Sequence, residues 1–448
     1  MIALTEPMHH HRLEYDRKHH AAVRTPEFLF NQLIPYIGNK RKLLGLIRRA
    51  IAGVGQVANL PSSVGQVANL PVSRQVGNLP HTFVDFFAGS GVVARLAKLL
   101  GFRVLANDWE PYAEAINGCY IACNRPPACE ALGGYERAIR QLNGLPPQVG
   151  WVTEHLCPRD DEHYDVARDR MFYMRRNGMK IDAIREQIAA WRAAGAIDAV
   201  EESCLLAPLV YQACYRSNTS GVFKGFHNGW GGQTRTALYR IATDLELEPP
   251  VFWDNGHQNA VFREDAQSLA ERLSGQEVAV AYLDPPYNQH PYGSNYHVLN
   301  SVVLWDRPLL PPQITRGTKA AIRTDWRTAR RSAYNHRREA AAAYARLLET
   351  INARRILTSY STDGTIPLTD LLRSNVARGH VALFMQGYKR YRVSSQRFSA
   401  KPMNVEFVLA VDTHRPSDVS ADKLEHAIRG HETAVLASHP ESLPLFDK

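Results

Sequence analysis

The 448-residue chain lacks any run of about 18 consecutive apolar residues, which removes a membrane-spanning helix from consideration. Cysteine is scarce and unpatterned: Cys119, Cys123, Cys129, Cys157, Cys204 and Cys214 include no CxxC pair. A chain this long needs no disulfide framework, and His155, Cys157 and His163 match no common zinc-finger or ribbon spacing. Reduced, buried thiols and no metal are therefore expected. Where a secretory signal would need an apolar core stand His9, His10 and His11, so a cytoplasmic protein with no membrane contact is expected. Acidic side chains are outnumbered, 44 against 53 Lys and Arg, for a net charge of +9. That balance leans toward an acidic partner such as nucleic acid. An apolar fraction of 45% is ordinary for a folded protein, and the length suits two or three lobes.

Residues 1–26 are polar and His-rich and read as a flexible tail. Residues 53–80 hold a short repeat, Gly55-Gln-Val-Ala-Asn-Leu-Pro61, then Gly65-Gln-Val-Ala-Asn-Leu-Pro71, then Gln75-Val-Gly-Asn-Leu-Pro80. Three such units cannot build a solenoid core, so the repeat reads as a surface linker. From Thr82 the pattern changes to strand, glycine turn, helix over 92–100, strand from Arg103, and helix over 111–123. This is the grammar of a doubly wound parallel sheet, an α/β fold. Residues 151–250 read as a mainly helical insertion, with helices over 181–194 and 199–215 and a glycine-rich polar stretch over 216–236. Strand-like runs return at 260–262, 278–283, 356–359, 381–385 and 406–411. The expected organisation is an α/β lobe (27–150 and 251–413) split by the insertion, followed by a C-terminal tail over 414–448.

Two motifs carry chemistry. In Asp85-Phe-Phe-Ala-Gly-Ser-Gly91 a glycine turn follows a strand, letting a ligand approach the backbone beside the N–H groups of the next helix. Asp108, at the end of the next strand, is placed to accept from two ribose hydroxyls. Taken alone, Gly89-x-Gly91-x-x-Ala94 also satisfies the dinucleotide fingerprint, which keeps a nicotinamide-dependent oxidoreductase in view. The second motif is Asp284-Pro285-Pro286-Tyr287, directly after the apolar run Val278–Leu283. Its prolines cannot continue a sheet ladder, so the chain turns out at the carboxyl edge, where open α/β sheets bind ligands. An exocyclic amine of adenine or cytosine is a poor nucleophile because its lone pair is delocalised into the ring. A carboxylate and a backbone carbonyl each accepting one N–H draw that nitrogen toward tetrahedral geometry. Asp284 and the Pro285 carbonyl suit those two roles, the rigid prolines hold them in place, and Tyr287 offers a face for an extruded base.

On these residues the chain resembles the Dam-like (alpha-class) DNA adenine-N6 methyltransferases that use S-adenosyl-L-methionine. Leu33-Ile-Pro-Tyr-Ile-Gly-Asn-Lys-Arg-Lys-Leu43 is similar to the family's N-terminal cofactor segment, with Tyr36 and Lys40 at matching positions. The 85–91 loop resembles its methionine-binding loop, implying cofactor contacts from Asp85, Phe87, Ala88, Gly89 and Gly91. Asn107-Asp108 resembles the ribose-binding acid, and Phe262-Arg-Glu-Asp265 the segment whose acid, Asp265, lies near the cofactor's adenine. Asp284, Pro285, Pro286 and Tyr287 match the catalytic motif. The resemblance implies a Rossmann-like sheet of the class I methyltransferase type with an inserted target-recognition domain. It implies double-stranded DNA as substrate, a cognate restriction endonuclease as a possible partner, and a monomer in solution.

DNA contacts are expected within residues 216–235, from Arg216, Asn218, Lys224, His227, Asn228 and Trp230. The arginine-rich stretches 323–338 and 388–401 are further candidates for phosphate contact, or equally solvated faces. The closest rival activities keep the fold and change the acceptor, to cytosine N4 or to an RNA adenine. A DNA-binding subunit without catalysis is opposed by the presence of Asp85, Asp108, Asp284 and Tyr287.

Overall fold

The computed structural model describes residues 27–52, 81–389 and 403–437. The expected tail at 1–26, the repeat at 53–80 and most of the basic stretch 388–401 lie outside them. Seven strands form one sheet in the order β3-β2-β1-β4-β5-β7-β6. These are β1 (Thr82–Asp85), β2 (Arg103–Asn107), β3 (Ala260–Phe262), β4 (Val278–Leu283), β5 (Ala353–Ser361), β6 (His380–Lys389) and β7 (Met403–Asp412). β1 to β5 pair in parallel, whereas β7 runs antiparallel between β5 and β6. The order reverses between β1 and β4, which creates a crevice at their carboxyl ends. This is the doubly wound α/β architecture expected from the sequence.

Alternation along each strand divides the core between two faces. Phe83, Val104, Val280, Tyr282 and Leu357 face a layer built from helices α1 (Leu44–Ala52) and α2 (Val92–Leu99). Their chain neighbours Val84, Leu105, Ala281, Leu283 and Ile356 face the opposite side. Both faces are covered, so each inner strand reads as a continuous apolar run.

A third core fills the helical lobe. Between β2 and β3 the chain forms α3 (Pro111–Asn117), α4 (Arg175–Ala193) and α5 (Ala199–Tyr215). Helix α5 begins at a capping box: Asp198 accepts from Val200 and Glu201, and Glu201 returns to the Asp198 N–H. The lobe's core joins Ile184 and Leu209 to Tyr112 and Ile116 of α3 and to Tyr296 and Leu299. Those last two belong to the segment entering α7 (His297–Leu304), so the packed body extends beyond residues 151–250 on both sides.

Further helices include α6 (Ala266–Leu273), α8 (Arg337–Thr350), α9 (Leu368–Arg378) and, last, α10 (Ala421–Ala437). The last corrects the expectation of a tail over 414–448. Leu424 and Ile428, one turn apart, are buried as α10 packs on β7, β6 and α9. Two apolar anchors in a polar helix are too sparse for a strong periodic signal. No helix among the described residues is long and apolar enough to cross a membrane.

If α10 is part of the fold, Ile428→Ala lowers unfolding free energy by about 2–5 kcal/mol, as expected for a buried isoleucine. Chemical denaturation measures it; a change below about 0.5 kcal/mol, typical of surface sites, returns the segment to tail status.

Candidate active site

At the end of β1 the chain turns sharply from Asp85 into α2, and the two glycines make that turn possible. Gly89 and Gly91 have φ of +51° and +78°, in the left-handed region that favours glycine. A Cβ on Gly91 would lie 2.4 Å from Asn117 Oδ1, and one on Gly89 would lie 2.9 Å from the Tyr36 ring. The Asn117 side chain donates to the Gly89 carbonyl at 3.2 Å and so ties the loop to α3. Asp108 Oδ2 accepts the Gly89 N–H at 2.8 Å, and its Oδ1 accepts the Glu110 N–H at 2.9 Å. The loop is therefore held from both neighbours before any ligand arrives.

Asp85 is 1% exposed; Oδ1 accepts weakly from the Phe87 N–H at 3.3 Å, and Oδ2 has no hydrogen-bond partner among the described residues. Burial, reinforced by nearby Asp284, raises its carboxyl well above the usual range. A buried carboxylate oxygen left open in this way suits a cationic ligand group. Burial also raises Asp108, with the backbone N–H groups of Glu110, Gly89 and Trp109 opposing the shift.

The cleft at the β1/β4 crevice is lined by Tyr36, Phe87, Asp108, Asp265, Asp284 and Pro286, among others. Asp265 also caps α6 by accepting the Gln267 N–H at 2.9 Å. Tyr36, Tyr292 and Tyr296 cluster with near-parallel rings, the Tyr36 centroid 5.1 Å from Tyr292 and 5.0 Å from Tyr296. Beside the cleft lies the segment 325–336, part of the stretch 323–338 for which phosphate contact and a solvated face were equal expectations. Arg330 there reaches Glu110 at 3.4 Å and Asp325 at 2.7 Å, while Tyr334 packs edge-on against Phe87. Arg323 is likewise bound to Asp306 and Asp325, and Arg331 to Glu339. Arg323 and Arg330 are thus engaged by carboxylates of the protein itself, whereas the Arg331–Glu339 pair lies on a solvated face, each side chain 44% exposed. Burial pushes Glu110 up to about 7, with Arg330 and Asn300 opposing.

Lys40, expected at the cofactor, meets the turn after β4. Asn39 caps the tight helical turn Lys40–Leu43, and the lysine side chain dips into the sheet's carboxyl edge, 4% exposed. Its Nζ lies 3.1 Å from Asp284 Oδ1, donates to the Tyr287 hydroxyl, and stands 3.8 Å from Glu406 Oε2. Burial opposes its charge, but Asp284 and Glu406 more than offset this and hold the ammonium above its ordinary range. Burial raises Asp284 to about 6, with Lys40 pulling it down. Pro285 is buried behind it. The Tyr287 ring packs edge-on against Tyr360 at 5.3 Å and beneath Lys40 Nζ at 4.7 Å.

The residues expected to touch DNA divide. Asn218 is wholly buried and serves its own loop: its amide donates to the His227 and Gly229 carbonyls and its oxygen accepts the Gly231 N–H. Trp230 is 9% exposed and donates to the Asp161 carbonyl at 2.8 Å. Both hold the lobe together, which corrects their assignment. Arg216 is half-buried, lies over the Tyr215 ring and donates to the Arg240 carbonyl at 3.0 Å. His227 and Asn228 line an open groove of about 960 Å³ together with Gln233, Arg240 and Lys319. Lys319 donates to Asn228 Oδ1 at 3.2 Å. Lys224 is half-buried, and burial lowers its ammonium below the ordinary range. Pro35 lines this groove and the next residue, Tyr36, lines the cleft, so the two hollows adjoin.

Three participants escaped the sequence reading: Lys319, Arg330 as a cleft residue, and Glu406. Only Glu406 left a trace, as an acid interrupting the apolar run of β7.

The sequence pattern of the family described as "D12 class N6 adenine-specific DNA methyltransferase" matches residues 70–310. The chain is similar to type II methyltransferase M.NlaIII of Neisseria lactamica, 31% identical over 312 residues, covering 69% of this chain and 84% of that protein. Similarity to type II methyltransferase M.FokI of Planomicrobium okeanokoites is 25% over 360 residues, covering 79% of this chain but 52% of that one. Type II methyltransferase M.CviAII of Paramecium bursaria Chlorella virus 1 is 27% identical over 331 residues, covering 72% and 87% respectively.

The glycine turn is testable by itself. Gly91→Ala meets both left-handed strain and Asn117, whereas Gly101→Ala (φ +85°) has nothing within 4 Å of its new methyl. Strain alone costs about 1–2 kcal/mol, so Gly91→Ala is expected to destabilise more than Gly101→Ala. Equal losses in denaturant titrations would show that the loop yields to the methyl.

Proposed function

Because the chain belongs to the D12 class of N6 adenine-specific DNA methyltransferases, we propose that its cleft holds S-adenosyl-L-methionine beside an adenine flipped from duplex DNA. Family membership sets aside the cytosine-N4, RNA-adenine and nicotinamide alternatives. The observation that carries the reading is the joining of two loops at adjacent strands: Asp85 pairs across to Tyr282, and Asp108, Asp265 and Asp284 open into one cleft.

The residues present fit that cofactor. Asp108 keeps lone pairs for a ribose diol after accepting two backbone N–H groups. Asp85 offers an unshared buried oxygen to a cationic end, and the turn of Phe87, Ala88, Gly89 and Gly91 would wrap the cofactor beside it, with Phe87 in the cleft wall. Asp265 stands where an adenine amine is accepted. The cofactor supplies an electrophilic methyl group. On the chain's side, Asp284 and the Pro285 carbonyl accept the two N–H bonds of the target amine and aim its lone pair. Pro286 keeps the turn rigid, and Tyr287 or Tyr292 supplies the aromatic face for the base. After transfer the amine sheds one proton, for which ionised Asp284 is the nearest base. The free space in the cleft is about 80 Å³, below the roughly 300–1,000 Å³ of typical ligand sites, so binding would require its walls, the Arg330–Glu110 pair among them, to part.

Duplex DNA would lie across the groove beside Pro35, where His227, Asn228 and Lys319 face it and Arg216 and Lys224 stand nearby. The relatives' designation as type II methyltransferases supports a modification role paired with a restriction endonuclease, and a monomer suffices for the site as built.

Incubation with methyl-labelled cofactor and adenine-containing duplex should label N6 of adenine at a defined sequence; label in RNA alone overturns the reading. Asp284→Ala should still bind cofactor while methyl transfer falls about a hundredfold or more, as for loss of a preorganised acceptor. Ionised Asp284 is the stronger N–H acceptor, and burial raises its carboxyl to about 6. Activity should therefore be full above that pH and decline as pH falls through it, seen in kcat/KM. A flat profile to about pH 5 removes Asp284 from the rate-determining chemistry.

A further inference from the structure

The proposed chemistry leaves Glu406 without a task. β7 runs antiparallel to β5, so its first residues lie beside the last residues of β5, with Glu406 opposite Ser361. That edge is the one at which β4 delivers Asp284. The Glu406 side chain is 9% exposed, and Oε2 has no hydrogen-bond partner among the described residues. Among the described residues its nearest opposite charge is Lys40 Nζ at 3.8 Å, and the same nitrogen stands 3.1 Å from Asp284 Oδ1.

A buried carboxylate is costly, and an apolar residue there would serve the sheet as well. An ammonium has three N–H donors, and here the Tyr287 hydroxyl and two carboxylates surround it. If Lys40 answered Asp284 alone, its full positive charge would weaken that carboxylate as an acceptor for the target amine. Glu406 divides the charge. It also leaves the trio of Asp284, Lys40 and Glu406 with net charge −1, which complements the positive charge the amine nitrogen develops as it gains a methyl group.

We propose that Glu406 is a positioning residue for methyl transfer, acting through Lys40 to keep Asp284 a strong and correctly aimed acceptor. This rests on the role given to Asp284 above. The step itself is unchanged: the amine nitrogen forms the new bond to carbon, the sulfur keeps the electron pair of the broken bond, and the amine releases a proton.

The test compares Glu406→Gln, Glu406→Asp, Lys40→Met and the Lys40→Met/Glu406→Gln pair with the parent on the same duplex. Glu406→Gln should lower kcat about tenfold or more, with KM for DNA and cofactor affinity by calorimetry within about threefold of the parent. Its thermal midpoint should stay within a few degrees of the parent, and Glu406→Asp should recover part of the rate. In the Lys40→Met background, Glu406→Gln should add less than about twofold, because its route of action is already gone. Parental kcat in Glu406→Gln, an additive loss in the double variant, or a rate loss that tracks unfolding overturns the inference. A parent chain that labels no DNA counts instead against the reading of the site.

Discussion

Everything at the site follows from the pairing of β1 with β4, two strands separated in sequence by the whole helical lobe. Phe83 faces Val280 and Asp85 faces Tyr282 across that pair. Because the strand order reverses there, the loop leaving β1 and the turn leaving β4 diverge to opposite sides and leave a crevice between them. The glycine turn, the Asp108 carboxylate and the proline-stiffened turn at Asp284 are functional only as neighbours across it. A shift of either strand by one residue would send Tyr282 to the other face and take Asp284 away from the cleft.

This crevice concentrates charge that a stable core would avoid. Asp85, Lys40 and Glu406 are each less than 10% exposed, and Asp108 and Asp284 stand close by. Burial raises all four carboxyls, and among the described residues Lys40 is the cation paired with Asp284 and Glu406. Perturbed groups gathered in one cleft mark the place where the fold gives up stability for reactivity. The helical lobe shows the contrasting use of polar side chains. Asn218 and Asp182 are equally buried, yet both are satisfied, Asp182 by the backbone of Val152 and Thr153. Satisfied groups of this kind brace loops.

Much of this was legible in the sequence because it is local. Strands β1, β2, β3 and β4 are short apolar runs with polar or glycine stops, and helices over 92–100 and 199–215 carry their own periodicity and caps. The turns at 85–91 and 284–287 announce themselves through glycine and proline, whose backbone preferences are intrinsic. The misreadings and the open alternatives share a cause. Asn218, Trp230, Arg323 and Arg330 have side chains suited to nucleic acid, but composition does not say whether a partner inside the protein has already claimed them. For Arg323 the claimant is Asp306; for Arg330 it is Glu110, on the far side of the helical lobe in sequence. Helix α10 was missed because its burial rests chiefly on Leu424 and Ile428 in a polar stretch.

By itself, then, the sequence determined the α/β class, the two loops that carry the chemistry and the family to which the chain belongs. Each of those depends on residues within one turn, one strand or one motif, where short-range sterics and hydrogen bonding decide the outcome. Only the tertiary structure decided that Lys40 meets both Asp284 and Glu406, and that Arg330 meets Glu110 at the cleft wall. Those contacts join the N-terminal segment, β4, β7 and the stretch before α8, which meet only once the sheet has formed. A long-range ion pair is written in no local pattern, because its energy depends on distance and burial that the whole fold sets.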